Sequence, residues 1–87
     1  MEQIKDLVLT IARALVDDPD QVKVNVIEGG SSSVIELFVA KSDLGKVIGK
    51  QGRNANSIRI ILNSVAGKTH RRVNLEIMDQ RQPDAVQ

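Results

Sequence analysis

Residues 43–53 read Asp43-Leu44-Gly45-Lys46-Val47-Ile48-Gly49-Lys50-Gln51-Gly52-Arg53. The spacing predicts a short helix that Ser42 caps at its N-terminus and that runs through Ile48. A four-residue turn bounded by Gly49 and Gly52 follows, and a second helix starts near Arg53. Glycine belongs where the backbone takes positive φ or where another group must come close. The first amides of the second helix are free of intrahelical partners and point into this turn, which favours an anion such as a phosphate. Lys46 precedes the turn, Lys50 lies inside it and Arg53 follows it. Open amides, helix dipole and cations therefore converge on one spot suited to a phosphodiester.

A Gly-x-x-Gly turn between helices is common, so its setting decides its meaning. Upstream, Ile4, Leu7, Val8, Ile11, Ala12 and Leu15 recur at spacings of three and four. They predict an amphipathic helix over 3–16, stopped by Pro19. Val22, Val24 and Val26 alternate with polar residues and predict a strand over 21–28. Gly29-Gly30-Ser31-Ser32-Ser33 is a hairpin turn, and a second strand, antiparallel to the first, is expected over 34–40. It has Ile35, Leu37 and Val39 on one face and Glu36 and Phe38 on the other. Downstream, Ala55, Ile58, Ile61, Leu62 and Val65 give the helix after the turn an apolar face to residue 66, with Gly67 as its C-terminal stop. Lys68–Arg72 is a basic loop, and Val73, Leu75 and Ile77 alternate as a third strand. The order is αββααβ: a two-layer α+β domain with three strands and three helices on one face of the sheet. One domain is expected over 1–79, with a frayed tail over 80–87.

The chain has 87 residues and a net charge of +1. That average hides a separation. Residues 1–40 carry three basic against seven acidic side chains, residues 41–72 eight against one, and residues 73–87 one against three. The +7 block contains the glycine turn and the basic loop, and it can set up a local positive field. Without cysteine there is no disulfide framework, thiol nucleophile or cysteine zinc site, and the single His70 cannot make a metal site or an oriented triad. One aromatic residue, Phe38, excludes a platform that stacks bases on aromatic rings. Neither a signal-peptide pattern nor a run of about 20 apolar residues occurs, so no membrane association and a cytoplasmic location are expected.

Gly45-x-x-x-Gly49-Lys50-Gln51 is one residue too short for a nucleotide-binding P-loop. It also has Gln51 where the magnesium-binding Ser or Thr belongs. Asp17, Asp18 and Asp20 crowd a helix end and are expected in a solvated loop, not in an acid–base pair. His70, among basic residues, is expected to contact phosphate or base or to be merely exposed. No catalytic residue, metal or cofactor is expected.

Val47-Ile48-Gly49-Lys50-Gln51-Gly52-Arg53, in this element order, resembles the signature of the KH domain, an RNA-binding module whose Gly-x-x-Gly loop clamps about four nucleotides of single strand. The order is similar to the type II arrangement. Over about residues 3–79, as a stand-alone domain, the chain resembles the small bacterial KH-domain RNA-binding family called KhpA. The resemblance implies a non-catalytic binder of single-stranded RNA, a post-transcriptional regulator or RNA chaperone. It implies a groove between the Gly49–Gly52 loop and the loop before the last strand. The site residues would be Lys46, Val47, Ile48, Gly49, Lys50, Gln51, Gly52, Arg53, Lys68, Arg71 and Arg72. Val47 and Ile48 would divide between core and groove floor. Ile60 lies off the apolar face of its helix, beside Asn56, Arg59 and Asn63, and Ile27 and Phe38 are expected on the outer sheet face. The resemblance suggests Ile60 for self-association, as a homodimer or a heterodimer with another KH-domain protein. The alternative function is a KH-fold dimerisation module with little RNA binding of its own.

Overall fold

The stripe Ile4, Val8 and Ala12 is buried along α1 (Glu2–Leu15) in the computed structural model, which describes residues 2–79. Pro19–Gln21 then forms a 3-10 turn, with the Gln21 N–H on the Asp18 carbonyl at 3.1 Å. This turn delays β1 (Lys23–Glu28) by two residues relative to the alternation of valines. The hairpin is tighter than its glycine–serine composition suggests. Gly29 N–H donates to the Ser32 carbonyl at 2.9 Å, and β2 (Ser32–Val39) starts there.

Ser42 does not cap the next helix. It lies in a 3-10 turn, Lys41–Asp43, and Asp43 holds the N-cap position of α2 (Leu44–Ile48). The Asp43 carboxylate is buried and reaches across the fold. It accepts the N–H groups of Asp17 and Asp18 at 3.1 and 3.2 Å, tying the chain after α1 to the entry of α2. A second 3-10 turn over Lys50–Gly52 leads into α3 (Arg53–Gly67). Gly67 lies inside this helix and Lys68 after it is right-handed. The positive φ that reverses the chain falls instead on His70, at 59°. The chain closes with β3 (Arg72–Asp79).

The sheet order is β1-β2-β3, with β1 antiparallel to β2 and β2 parallel to β3. A parallel neighbour requires a crossover, and α2 and α3 supply it. Ile35, Leu37, Val39, Val73 and Leu75 face the helices and pack with Val8, Ala12, Val47, Ile58 and Leu62. Burying each of the large members contributes about 1.5–3 kcal/mol. Val34, Glu36 and Phe38 face outward and are half-buried, and Ile27 is exposed. The architecture is the α+β fold of three strands and three helices in the expected order.

One residue assigned to the core face of α3 is not there. Ala55, Ile58, Leu62 and Ala66 are buried, whereas Ile61 is 45% exposed. At about 100° per residue, Ile61 points roughly 100° away from the centre of that stripe. The anticipated frayed tail, 80–87, lies outside the described residues.

Candidate functional site

The turn between α2 and α3 has an unusual backbone. Gly49 has φ 79° and ψ 171°, Gln51 has φ 56°, and Gly52 has φ 76° and ψ 14°. Gly49 is required twice over. Its φ is unfavourable for other residues, and a Cβ there would lie 2.8 Å from Asn54 Cγ and 2.9 Å from the Asn54 backbone nitrogen. Gly52 is different: its nearest neighbour to a built Cβ is Asn56 Nδ2 at 4.0 Å, so only its left-handed backbone favours glycine.

Hydrogen bonds hold the turn. Gly49 N–H donates to Gly45 O at 2.8 Å, and Gly52 N–H to Gly49 O at 3.1 Å. Asn54 Nδ2 donates to Lys46 O at 2.9 Å, from the first turn of α3 to the end of α2. The N-terminus of α3 itself has no side-chain cap. Arg53 N–H, the first amide, donates to Lys50 O, and the amides that follow it have no side-chain cap at the positive end of a helix of 15 residues.

The cations around the turn differ in freedom. Lys50 and Arg53 are exposed and make no ion pair among the described residues. Lys46 is engaged: its ammonium lies 3.3 Å from Asp17 Oδ2 and 3.7 Å from Asp43 Oδ1. Asp17 is thus an ion-pair partner as well as a surface acid. The apolar pair divides, with Val47 fully buried and Ile48 37% exposed beside the turn.

The structure does not bring Lys68, Arg71 and Arg72 to this spot. They leave the C-terminal end of α3, and its 15 residues span about 22 Å at 1.5 Å each. Arg72 N–H donates to Ser31 O at 3.0 Å, placing this loop beside the β1–β2 hairpin. Arg71 is turned inward. Its Nη2 donates to the buried Ser33 Oγ at 3.1 Å and lies 3.7 Å from Glu28 Oε1. Lys68, His70 and Arg72 are exposed.

Two polar side chains of α3 join the helix to β3. Pairing with β2 turns the N–H and C=O of Val73 and Leu75 toward the open edge of the sheet. Asn63 fills the place of a neighbouring strand at Val73, accepting its N–H and donating to its carbonyl, both at 3.0 Å. Arg59 Nη2 donates to Leu75 O at 3.2 Å. Next to them Ile60 is 68% exposed.

Comparison with known proteins gives this arrangement a family. The family described as "KhpA/KhpB, KH domain" matches residues 5–77. The chain belongs to this KH-domain family. It is 53% identical over 74 residues to "RNA-binding protein KhpA" of Borreliella burgdorferi, covering 85% of this chain and 90% of that protein. It is 56% identical over 73 residues to the protein of the same name from Caldanaerobacter subterraneus, covering 84% and 97%. Among solved structures it is similar to Era in complex with MgGDPNP and nucleotides 1506–1542 of 16S ribosomal RNA. There the TM-score is 0.52 and the identity 27%, over 93% of this chain and 31% of that one. A second Era structure, from Aquifex aeolicus with GDP·AlF4−, shares the fold at TM-score 0.57 and 24% identity, over 94% of this chain and 31% of that one. The Gly49–Gly52 turn and its flanking helices α2 and α3 lie within the matched residues.

Reading the sequence as periodic faces missed Asn54, Arg59 and Asn63. Asn54 offered one faint signal, an amide side chain in the first turn of a helix that follows a glycine pair. Arg59 and Asn63 had none, because their partners on β3 are 16 and 10 residues away in sequence.

Proposed function

We propose that this chain is a non-catalytic binder of single-stranded RNA that grips the sugar–phosphate backbone at Gly49–Gly52. The observation that carries the reading is the N-terminus of α3, without a side-chain cap, behind a glycine-bounded turn and flanked by Lys50 and Arg53, which are unpaired among the described residues. Family membership and the name of the relatives, RNA-binding protein KhpA, support it. The family is non-catalytic in kind. Loop amides and the helix dipole hold a phosphate, Lys50 and Arg53 supply mobile charge, Gln51 offers an amide, and Ile48 gives bases an apolar floor. Val47 supports the turn from the core, and Lys46 contributes what charge its two carboxylate partners leave. Lys68 and Arg72 extend the positive field to the far end of α3, where Arg71 acts mainly as a structural tie. Such a module reads few nucleotides, so weak affinity and modest sequence preference follow. This suits a cytoplasmic RNA chaperone or post-transcriptional regulator, with residues 1–79 as the KH unit.

The test is filter binding of a short single-stranded RNA to wild type and to Gly49→Asp/Gly52→Asp. The double variant should lose binding, and Gly52→Asp alone, where a Cβ has room, should lose it while keeping its circular dichroism spectrum. Undiminished binding by the folded double variant would falsify the site.

Ile60 carries a second reading, self-association or pairing with another KH protein. Its 68% exposure on α3, next to Arg59 and Asn63, favours it, and the family name couples KhpA with KhpB. A second RNA groove in the same particle would raise affinity by avidity. Sedimentation of Ile60→Asp should give a lighter species than wild type; equal monomeric masses for both would exclude self-association through this residue.

A further inference from the structure

We infer that Asn54 is a positioning residue for the Gly49–Gly52 loop, holding it in the shape that receives a phosphate. This inference rests on the RNA-binding reading above. The carbonyls in the last turn of a helix have no intrahelical partner. In α2 the Lys46 carbonyl is one of these, and its partner is Asn54 Nδ2 at 2.9 Å, which reaches back from the first turn of α3. One side chain thus brackets the loop from both flanking helices. The missing Cβ of Gly49 makes room for the bracket, since an atom there would meet Asn54 Cγ at 2.8 Å. The loop inside it has positive φ at Gly49, Gln51 and Gly52, and at Gln51, which is not glycine, an unrestrained loop would favour other conformers. Asn54 holds the backbone of Lys46, and the Lys46 ammonium lies 3.3 Å from Asp17. The chain after α1, the end of α2 and the start of α3 therefore meet through Asn54, Lys46 and Asp17. Ordering the loop before RNA arrives removes part of the entropy cost of binding.

The variants Asn54→Ala and Asn54→Leu test this; the second keeps the bulk and removes the donor. Affinity for a single-stranded oligoribonucleotide, the thermal midpoint and backbone 15N order parameters are measured on the whole chain. Both variants should bind roughly three- to tenfold more weakly, the weight of one net hydrogen bond. Their midpoints should stay within a few degrees of wild type, and the order parameters of residues 49–52 should fall. Unchanged affinity overturns the inference. So does a loss of affinity that only follows a loss of folded protein, with the loop order of the folded fraction unaltered. Gly52→Asp is measured alongside. If it also binds as wild type does, the loop reading itself fails; if it loses binding while the Asn54 variants do not, only the role of Asn54 fails.

Discussion

The two ends of α3 carry similar positive charge and use it differently. At the N-terminal end the backbone takes positive φ at three residues, the helix has no side-chain cap, and Lys50 and Arg53 are unpaired among the described residues. At the C-terminal end Arg71 is spent on Ser33 and Glu28, and the loop is hydrogen-bonded to the hairpin through Arg72 N–H. The first end is organised toward solvent and the second toward the protein. A count of charges treats them alike. What separates them is that Arg71 is used within the protein, whereas Lys50 and Arg53 beside the turn make no ion pair among the described residues.

The sharpest way to break this comparison is Gly52→Asp. There is room for its Cβ, and Asp tolerates the left-handed region better than most residues. The fold should therefore lose only about 1 kcal/mol, while the carboxylate faces the phosphate. RNA affinity should drop at least tenfold in a gel-shift titration, against a shift of a few degrees in thermal midpoint. Near-wild-type affinity would remove the distinction between the two ends.

Lys50→Ala and Arg71→Ala should then give opposite patterns. Lys50→Ala should weaken RNA binding roughly threefold to tenfold at low salt, reduce the slope of log affinity against log salt by about one, and leave unfolding unchanged. Arg71→Ala leaves the buried Ser33 hydroxyl without its partner, so chemical denaturation should show a loss of about 1–2 kcal/mol, with RNA affinity within twofold of wild type. The reverse pattern would mean that the RNA site lies at the hairpin end.

Lys46→Ala is the finest test. Because Asp17 and Asp43 already neutralise part of this charge, its effect on RNA affinity should be smaller than that of Lys50→Ala. Asp17→Asn should move affinity slightly upward by freeing Lys46. Equal losses for the two lysine variants would show that the ion pairs open when RNA binds.

Much of this was legible in residues whose pattern is local. Period-3.6 and period-2 alternation gave α1, α3 and the three strands, α2 was read from its position between Ser42 and the glycine turn, and the glycine pair marked the turn whose φ values require it. Element ends were less legible, because tertiary partners set them. Ser42 has the chemistry of an N-cap, but Asp43 holds that position and spends its carboxylate on the amides of Asp17 and Asp18, 26 and 25 residues away. Gly67 is a good helix stop, yet the helix includes it and His70 takes the positive φ. The two basic loops expected to flank one groove lie at opposite ends of α3.

By itself the sequence determined the order of elements, the apolar faces, the glycine turn and the block of positive charge, since each depends on neighbours within a few residues. Only the tertiary structure decided that β3 lies parallel to β2, and that Asn63 and Arg59 cover part of its edge. It alone decided that Lys46 and Arg71 are paired while Lys50 and Arg53 make no ion pair among the described residues. The physical reason is that a charge or a hydrogen-bonding group acquires its role from whichever partner the fold brings within about 3 Å, and sequence distance does not set that partner.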